Sequence, residues 1–336
     1  MTAHPVVLIP GDGIGPEVTA AMCRVIAALS VPIEWIELPI GTEDPATRGL
    51  LPERTVAAIR AHGVAIKGPV GTPVGTGHAS LNVQLRKRLE LFAAVRPVRS
   101  LPGVRTRFEN VDLVVIRENT EGLYSGVENE IIPGVVTSLK VATIKGCERI
   151  ARYAFEFARR HNRRKITVFH KANIMKRTDG LFLDCARRMR DELGQGIDYE
   201  EMIIDNGCMQ LVKDPTRFDV LLMENLYGDV VSDLCSGLVG GLGVVPGSNI
   251  GADCAVFEAV HGSAPDIAGK GLANPLALIM SAELMLEHLQ HAEPARRLRR
   301  AYEALLSDAR PETLTRDLGG HADTSRFTDA LIARLG

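Results

Sequence analysis

Val6-Val7-Leu8-Ile9 is an uninterrupted apolar run closed by Pro10-Gly11, the pattern of a strand buried on both faces. Helical periodicity follows from about Pro16 to Leu29. Pro16 suits the first turn, where its missing N–H would have had no partner. Short β-like runs recur at Val64-Ala65-Ile66, Val111 to Ile116, Ile166 to Phe169, Glu201 to Ile204 and Phe218 to Met223. Helical patterns separate several of them, as at Arg149 to Arg160 and Gly180 to Glu192. This alternation predicts an α/β protein with a largely parallel sheet. Tyr124 to Lys145 breaks it: the stretch is rich in Val, Ile, Thr and Gly, lacks a helical period, and predicts antiparallel strands. No repeat, low-complexity segment or flexible linker is visible, so any domain boundary is crossed by ordered chain.

Composition sharpens this only by exclusion. The 336 residues allow two domains or one large core. A net charge of -2 gives no reason to expect nucleic acid or a membrane surface as a partner, so attraction for an anionic substrate must come from a local cluster. No apolar run approaches the length of a membrane span. Met1 to Pro10 carries no basic stretch and reads as lacking a cleaved signal. The six cysteines (Cys23, Cys147, Cys185, Cys208, Cys235, Cys254) contain no CxxC pair. Reduced thiols in a cytoplasmic protein are therefore expected, rather than a disulfide framework or a zinc site.

Five segments carry candidate chemistry. Gly11-Asp12-Gly13-Ile14-Gly15-Pro16 joins a strand to a helix, but its spacing is GxGxG rather than GxGxxG, with Pro where a dinucleotide-binding helix should open. It reads as a tight glycine turn beside a ligand, or as a purely structural turn. Ser80-Leu-Asn82-Val-Gln-Leu-Arg86 places polar side chains near a helix start, where free N–H groups favour anions. Arg96 and Arg117 are expected at strand ends, where guanidinium groups suit bidentate carboxylate recognition; singly, each reads as well as a solvated cation. Asp229 and Asp233 are spaced i, i+4 on one helix face, and with Asp205 they form an all-oxygen set suited to Mg²⁺ or Mn²⁺. An acidic first turn answering the helix dipole is the plainer reading. Tyr124 and Lys171 stand alone in their segments, and a lone Tyr or Lys is more often structural. His261-Gly-Ser-Ala-Pro-Asp266-Ile-Ala-Gly269, with Asn274-Pro275 beyond, is a loop of small residues that lets a ligand approach the backbone, or an ordinary Gly/Pro loop.

Taken together, Gly11-Asp-Gly-Ile-Gly-Pro-Glu17, Ser80-Leu-Asn82, Arg117-Glu-Asn-Thr-Glu-Gly122, His170-Lys-Ala-Asn173, Asn225-Leu-Tyr-Gly-Asp229, His261-Gly-Ser-Ala-Pro265 and Asp317-Leu-Gly-Gly320 resemble the β-decarboxylating isocitrate and isopropylmalate dehydrogenases, in matching order over nearly the whole chain. The resemblance implies that family's α/β fold: a large discontinuous cofactor-side domain (1–98 and 244–336), an inserted smaller domain (99–243), and a β clasp at about 125–145. It further implies a homodimer in which Lys171 and Asp205 serve the partner's active site. Arg86, Arg96 and Arg117 would hold the carboxylates of a tricarboxylic hydroxy acid, and Asp205, Asp229 and Asp233 the metal. Tyr124 and Lys171 would move protons. Thr72, His261, Gly262, Ser263, Ala264, Asp266, Ile267 and Asn274 would hold NAD.

Ser80 and Asn82 suit a polar γ-carboxylate, as in isocitrate, where isopropylmalate would need an apolar wall. Homoisocitrate, one methylene longer, is the main alternative, since a methylene is weakly discriminated. A non-catalytic regulatory subunit of the same fold should lack Tyr124, Lys171, Asp229 or Asp233, and all four are present.

Cofactor choice is predicted from charge. Asp266 can accept from ribose hydroxyls and would repel a 2′-phosphate, and Ile267 offers that phosphate no hydrogen bond. An unpaired, partly desolvated anion pair costs several kcal/mol, roughly two decades or more. NAD is therefore expected to exceed NADP at least about a hundredfold in kcat/KM. Asp266→Lys with Ile267→Tyr should narrow or invert the ratio; equal use of both cofactors by the wild type would show that Asp266 does not face the ribose.

Overall fold

The computed structural model describes residues 3–40, 50–72 and 80–336. The chain opens β1 (His4–Ile9), α1 (Gly15–Ala28), β2 (Ile33–Glu37), α2 (Glu53–His62), β3 (Val64–Lys67), α3 (Leu81–Arg88), β4 (Ala93–Arg99) and β5 (Asp112–Glu118). The hairpin β6 (Glu128–Ile132) and β7 (Val135–Ser138) follows. Then come α4 (Ile144–Arg160), β8 (Lys165–His170), α5 (Thr178–Leu193), β9 (Asp198–Ile203), α6 (Ile204–Lys213), β10 (Val220–Met223) and α7 (Asn225–Leu238). β11 (Pro246–Ile250), β12 (Ala255–Ala259), α8 (Leu276–His288), α9 (Ala292–Asp308) and α10 (Thr324–Ile332) close it.

Ten of these strands form one sheet, ordered β2-β1-β3-β12-β11-β4-β5-β10-β8-β9. Pairing is parallel except at β12–β11, β11–β4 and β4–β5. The two ends of the chain therefore build one wing of the sheet and the middle builds the other, with the antiparallel strands as the joint. β11 pairs with β4 only over Ala93–Val95 and stops before Pro97, which has no N–H to give. Helices cover both faces of each wing. Leu, Ile and Met of α1, α8, α9 and α10 pack on one face of the first wing, while α2 and α3 close the other. α4 and α5 cover one face of the second wing, and α6 and α7 its reverse.

The elements differ from the sequence reading at their margins. Ile204 opens α6 rather than ending β9, and Phe218 precedes β10, because two-residue periodicity carries no mark of where the ladder starts. Arg96 lies in the middle of β4 rather than at a strand end, since the apolar run that masks strands from loops continues through Val98. The 124–145 excursion is indeed a two-stranded antiparallel ribbon, and it stands out from the body: Ile131 is 64% and Val136 66% exposed. Among the described residues no helix is long and apolar enough to cross a membrane.

The glycine turn after β1 is a backbone junction. Gly11 (φ +81°) and Gly13 (φ +59°) occupy the left-handed region, and a Cβ on either would collide with the carbonyls of Pro69 and Ser263. Asp12 N donates to Pro69 O (2.7 Å), Ile14 N to Ser263 O (2.9 Å), and Gly71 N to the Asp12 carboxylate (2.8 Å). Glu17, in the first turn of α1, accepts from Gly271 N (3.2 Å), Ala273 N (3.0 Å) and the Thr324 hydroxyl. One short segment thus locks the Thr72 and His261 loops side by side.

Candidate active site

Alternation along β4 and β5 decides which face carries Arg96 and Arg117. Val95 and Val114 pack toward α4, so Arg96 and Arg117 point to the α7 side, with Val98, Leu113 and Val115. A cleft of about 1240 Å³ lies on the opposite face, lined by Val95, Pro97 and Val114. None of the predicted site residues lines it; Arg96 and Arg117 stand on the α7 side.

On that side Arg117, fully buried, donates from Nε (3.1 Å) and Nη2 (2.6 Å) to Asn225 Oδ1, and from Nη1 to Asp229. Its guanidinium lies 5.0 Å from the centre of the Tyr124 ring. The Tyr124 hydroxyl donates to the other oxygen of Asp229. Burial, reinforced by Asp229, raises the Tyr124 pKa, so the phenol is held protonated at neutral pH. Asp233, one turn along α7, is solvent-exposed; partial desolvation and then repulsion from Asp229 raise its pKa, while Arg96 and Arg117 oppose the shift. Glu224 caps α7 by accepting from Tyr227 N (3.0 Å) and Leu226 N (3.3 Å), which fixes the helix that carries both aspartates.

Arg86 and Arg96 meet at a residue the motif reading missed. Glu258 of β12 is buried, and its Oε1 accepts from Arg86 (3.1 Å), Arg96 (3.3 Å) and Asn249 (2.7 Å), while Oε2 pairs with Lys67 (2.6 Å). Burial alone would raise this carboxyl; Lys67, Arg86 and Arg96 together outweigh it and hold it well below the usual range. A signal existed: Lys67 and Glu258 each interrupt an apolar β run, and a charge inside a buried strand implies a buried partner.

Lys171 and Asp205 form a separate pair, Nζ to Oδ1 2.5 Å, on the exposed side of α6. This bond lowers the Asp205 pKa. Asp179, buried at the start of α5, accepts from Lys171 N (2.7 Å) and pairs with Lys140 (2.5 Å), anchoring the turn after β8; sequence reading missed it too. Among the described residues no group of three acids that could share an ion occurs within the chain, so Asp205 does not join Asp229 and Asp233 here. The remaining pair still fits a hard divalent cation: an all-carboxylate set on one helix face, with one member strained by the other's charge.

The residues predicted for the nucleotide lie on loops. Thr72 Oγ1 lies 3.0 Å from Ser80 Oγ at the start of α3, the helix that also presents Asn82 and Arg86. His261 Nδ1 lies 3.1 Å from Gly262 O, while Nε2 is buried without a partner among the described residues. Burial lowers this imidazole's pKa, leaving it neutral. An orphaned ring nitrogen beside an open Gly262 and a positive-φ Ala264 (φ +39°) suits a bound cofactor. Asp266 is exposed, whereas Ile267 turns partly into the main core. The Asn274 amide is engaged by Asp317 (2.8 Å) and by Leu276 N (2.9 Å) at the start of α8.

The family model described as isocitrate/isopropylmalate dehydrogenase matches residues 5–331. The mitochondrial catalytic subunit 5 of NAD isocitrate dehydrogenase from Arabidopsis thaliana is 52% identical over 330 residues, 98% of this chain and 87% of that one. The chloroplastic 3-isopropylmalate dehydrogenase of Solanum tuberosum is 53% identical over 296 residues, 88% and 83% of the two chains. The crystal structure of isocitrate dehydrogenase from Methylococcus capsulatus is similar with a TM-score of 0.94 and 47% identity, covering 99% of both chains. The expectation of a cytoplasmic protein is corrected by these comparisons, because the matching isocitrate dehydrogenase subunits are named as mitochondrial. Free thiols report a reducing compartment, and more than one compartment is reducing.

The packing of α7 on β5 makes a direct test. A Cβ at Gly228 would lie 2.5 Å from Arg117 Cβ, so Gly228→Ala must displace the guanidinium or the helix. A displacement of about 1 Å is expected to lower kcat/KM about a hundredfold while far-UV circular dichroism is retained. Activity within a factor of two of wild type would show that the Arg117–Asp229 geometry is not needed.

Proposed function

The chain belongs to the isocitrate/isopropylmalate dehydrogenase family, and from that premise we propose that it oxidatively decarboxylates isocitrate to 2-oxoglutarate and CO2 with NAD as acceptor. The observation that carries this reading is the convergence of Arg86, Arg96 and Arg117 with Asp229, Asp233 and Tyr124 on one face of the sheet. Buried guanidinium groups in number match a substrate with several carboxylates. Asp229 and Asp233, with Asp205 of the partner subunit, would hold Mg²⁺ or Mn²⁺. NAD would lie along the His261 loop and Thr72. When bound, the cation supplies Lewis acidity at the C2 oxygen and NAD accepts the C2 hydride.

The chain's own residues do the rest. The arginines orient the acid and neutralise its charge, and burial of Arg96 and Arg117 excludes water from that contact. Lys171 of the partner subunit, which pairs with Asp205, takes up the hydroxyl proton directly or through water. Tyr124, kept protonated by burial and Asp229, delivers a proton to C3 after CO2 has left. A non-catalytic role is disfavoured because Tyr124, Lys171, Asp229 and Asp233 are all present.

A second reading has a specific basis: the isopropylmalate relative is as similar as the isocitrate relative. A purified-enzyme panel separates them. With NAD and Mg²⁺, kcat/KM should rank isocitrate above homoisocitrate above 3-isopropylmalate, and EDTA should abolish turnover until Mg²⁺ or Mn²⁺ is restored. Isopropylmalate in first place would overturn the reading of Ser80 and Asn82, and full turnover in excess chelator that of the aspartates.

The shared site and the domain division, 1–98 with 244–336 and 99–243, belong to the same proposal. They are supported by the two-winged core, by the exposed apolar ribbon with Ile131, Ile132, Val135 and Val136, and by the separation of Lys171 and Asp205 from Asp229. Large exposed apolar patches on a folded chain mark an association surface. Inactive Lys171→Ala and Tyr124→Phe variants, mixed under conditions of subunit exchange, should regain up to about a quarter of wild-type activity, since a random half of dimers are mixed and each carries one intact site. Demonstrated exchange without rescue would mean that each chain uses its own Lys171.

A further inference from the structure

Glu258 is a fully enclosed carboxylate on which four elements converge: Lys67 ends β3, Arg86 lies on α3, Arg96 on β4 and Asn249 on β11. Arg86 and Arg96 donate to the same oxygen, Oε1, so one acceptor sets the spacing of the two guanidinium groups. Lys67 holds Oε2 at 2.6 Å and prevents the carboxylate from turning. Asn249 braces Oε1 at 2.7 Å and is itself held by Asn119 at 3.0 Å.

Charge separates a positioning role from plain neutralisation. A carboxylate buried only to stabilise the sheet needs one cation. Here three cations surround one carboxylate, and burying the surplus positive charge is unfavourable until an anion completes the set. Arg96 also keeps Nη1 buried with no partner among the described residues. Each guanidinium has five N–H donors and spends few of them on Glu258, so most of its hydrogen-bonding capacity is left for another acceptor.

We propose that Glu258 is a positioning residue for substrate: it fixes Arg86 and Arg96 in advance at the separation that receives the substrate's carboxylates, and Asn249 and Lys67 hold it in place. The role rests on the proposed reaction only in assigning these arginines to an anionic substrate. It acts on binding of the hydroxy acid and leaves the cofactor loop and the proton carriers untouched.

The test is steady-state kinetics of Glu258→Gln, which keeps shape and removes charge, read on whichever 2-hydroxy acid the wild type prefers. A wrong substrate assignment then leaves the comparison valid. KM for the hydroxy acid should rise about tenfold or more, while KM for NAD changes less than about threefold. Glu258→Asp, which restores the charge with a shorter reach, should recover part of the loss. If Glu258→Gln does not fold, Glu258→Asp keeps the core's charge balance and should show the same selective rise. An unchanged hydroxy-acid KM, or equal rises in both KM values, in either soluble variant would overturn the proposal and leave Glu258 a structural ion.

Discussion

The geometry of this site depends on keeping one buried charge compensated. Glu258 sits on a central strand, where an uncompensated carboxylate would cost several kcal/mol, and removing one partner of a buried pair typically costs about 3–5 kcal/mol. Its compensation comes from β3, α3, β4 and β11, elements on both sides of β12 in the sheet. The same contacts that make the ion tolerable bring Arg86 and Arg96 together. The stability of the first wing and the spacing of Arg86 and Arg96 are therefore one requirement.

The second constraint is the joint between the wings. Three antiparallel pairings in a parallel sheet place β11, β4 and β5 side by side, and strand alternation then assigns Arg96 and Arg117 to one face and Val95, Pro97 and Val114 to the other. The proposed site lies on the first face and the 1240 Å³ cleft on the second. Both are walled by elements from the two wings, so a change in the angle between wings would alter the two faces in opposite senses. Arg99 and Tyr302 (3.1 Å), with Tyr302 donating to Glu283 (2.8 Å), tie the end of β4 to α8 and α9 across the reverse face.

Electrostatics on the α7 side follow from crowding rather than from any one group. Asp229 accepts from Arg117 and Tyr124 together, Asp233 is pushed up by its neighbour, and Glu224 holds the helix that presents them. The glycine turn after β1 plays a quieter part. Its amides go to Pro69 and Ser263, so it orders the Thr72 and His261 loops and acts as the structural turn that its GxGxG spacing allows.

Much of the architecture was legible along the chain, because periodicity of two and of 3.6 residues reports which local neighbours share a face. That logic places β1, α1, β8 and α5 within a few residues and singles out the exposed ribbon at 128–138. Motif spacing likewise identifies Asp229 with Asp233, and Ser80 with Asn82 and Arg86, since each group sits on one helix. Pairing across long separations is a different matter. Arg86 and Glu258 are 172 residues apart, and Arg117 and Asp229 112. They meet only because β12 inserts beside β3 and α7 packs on β5, which no local pattern encodes. The local sequence thus determined the elements and the chemistry they carry. The tertiary structure alone decided which charges face one another, because burial makes compensation compulsory and strand order determines what is near enough to supply it.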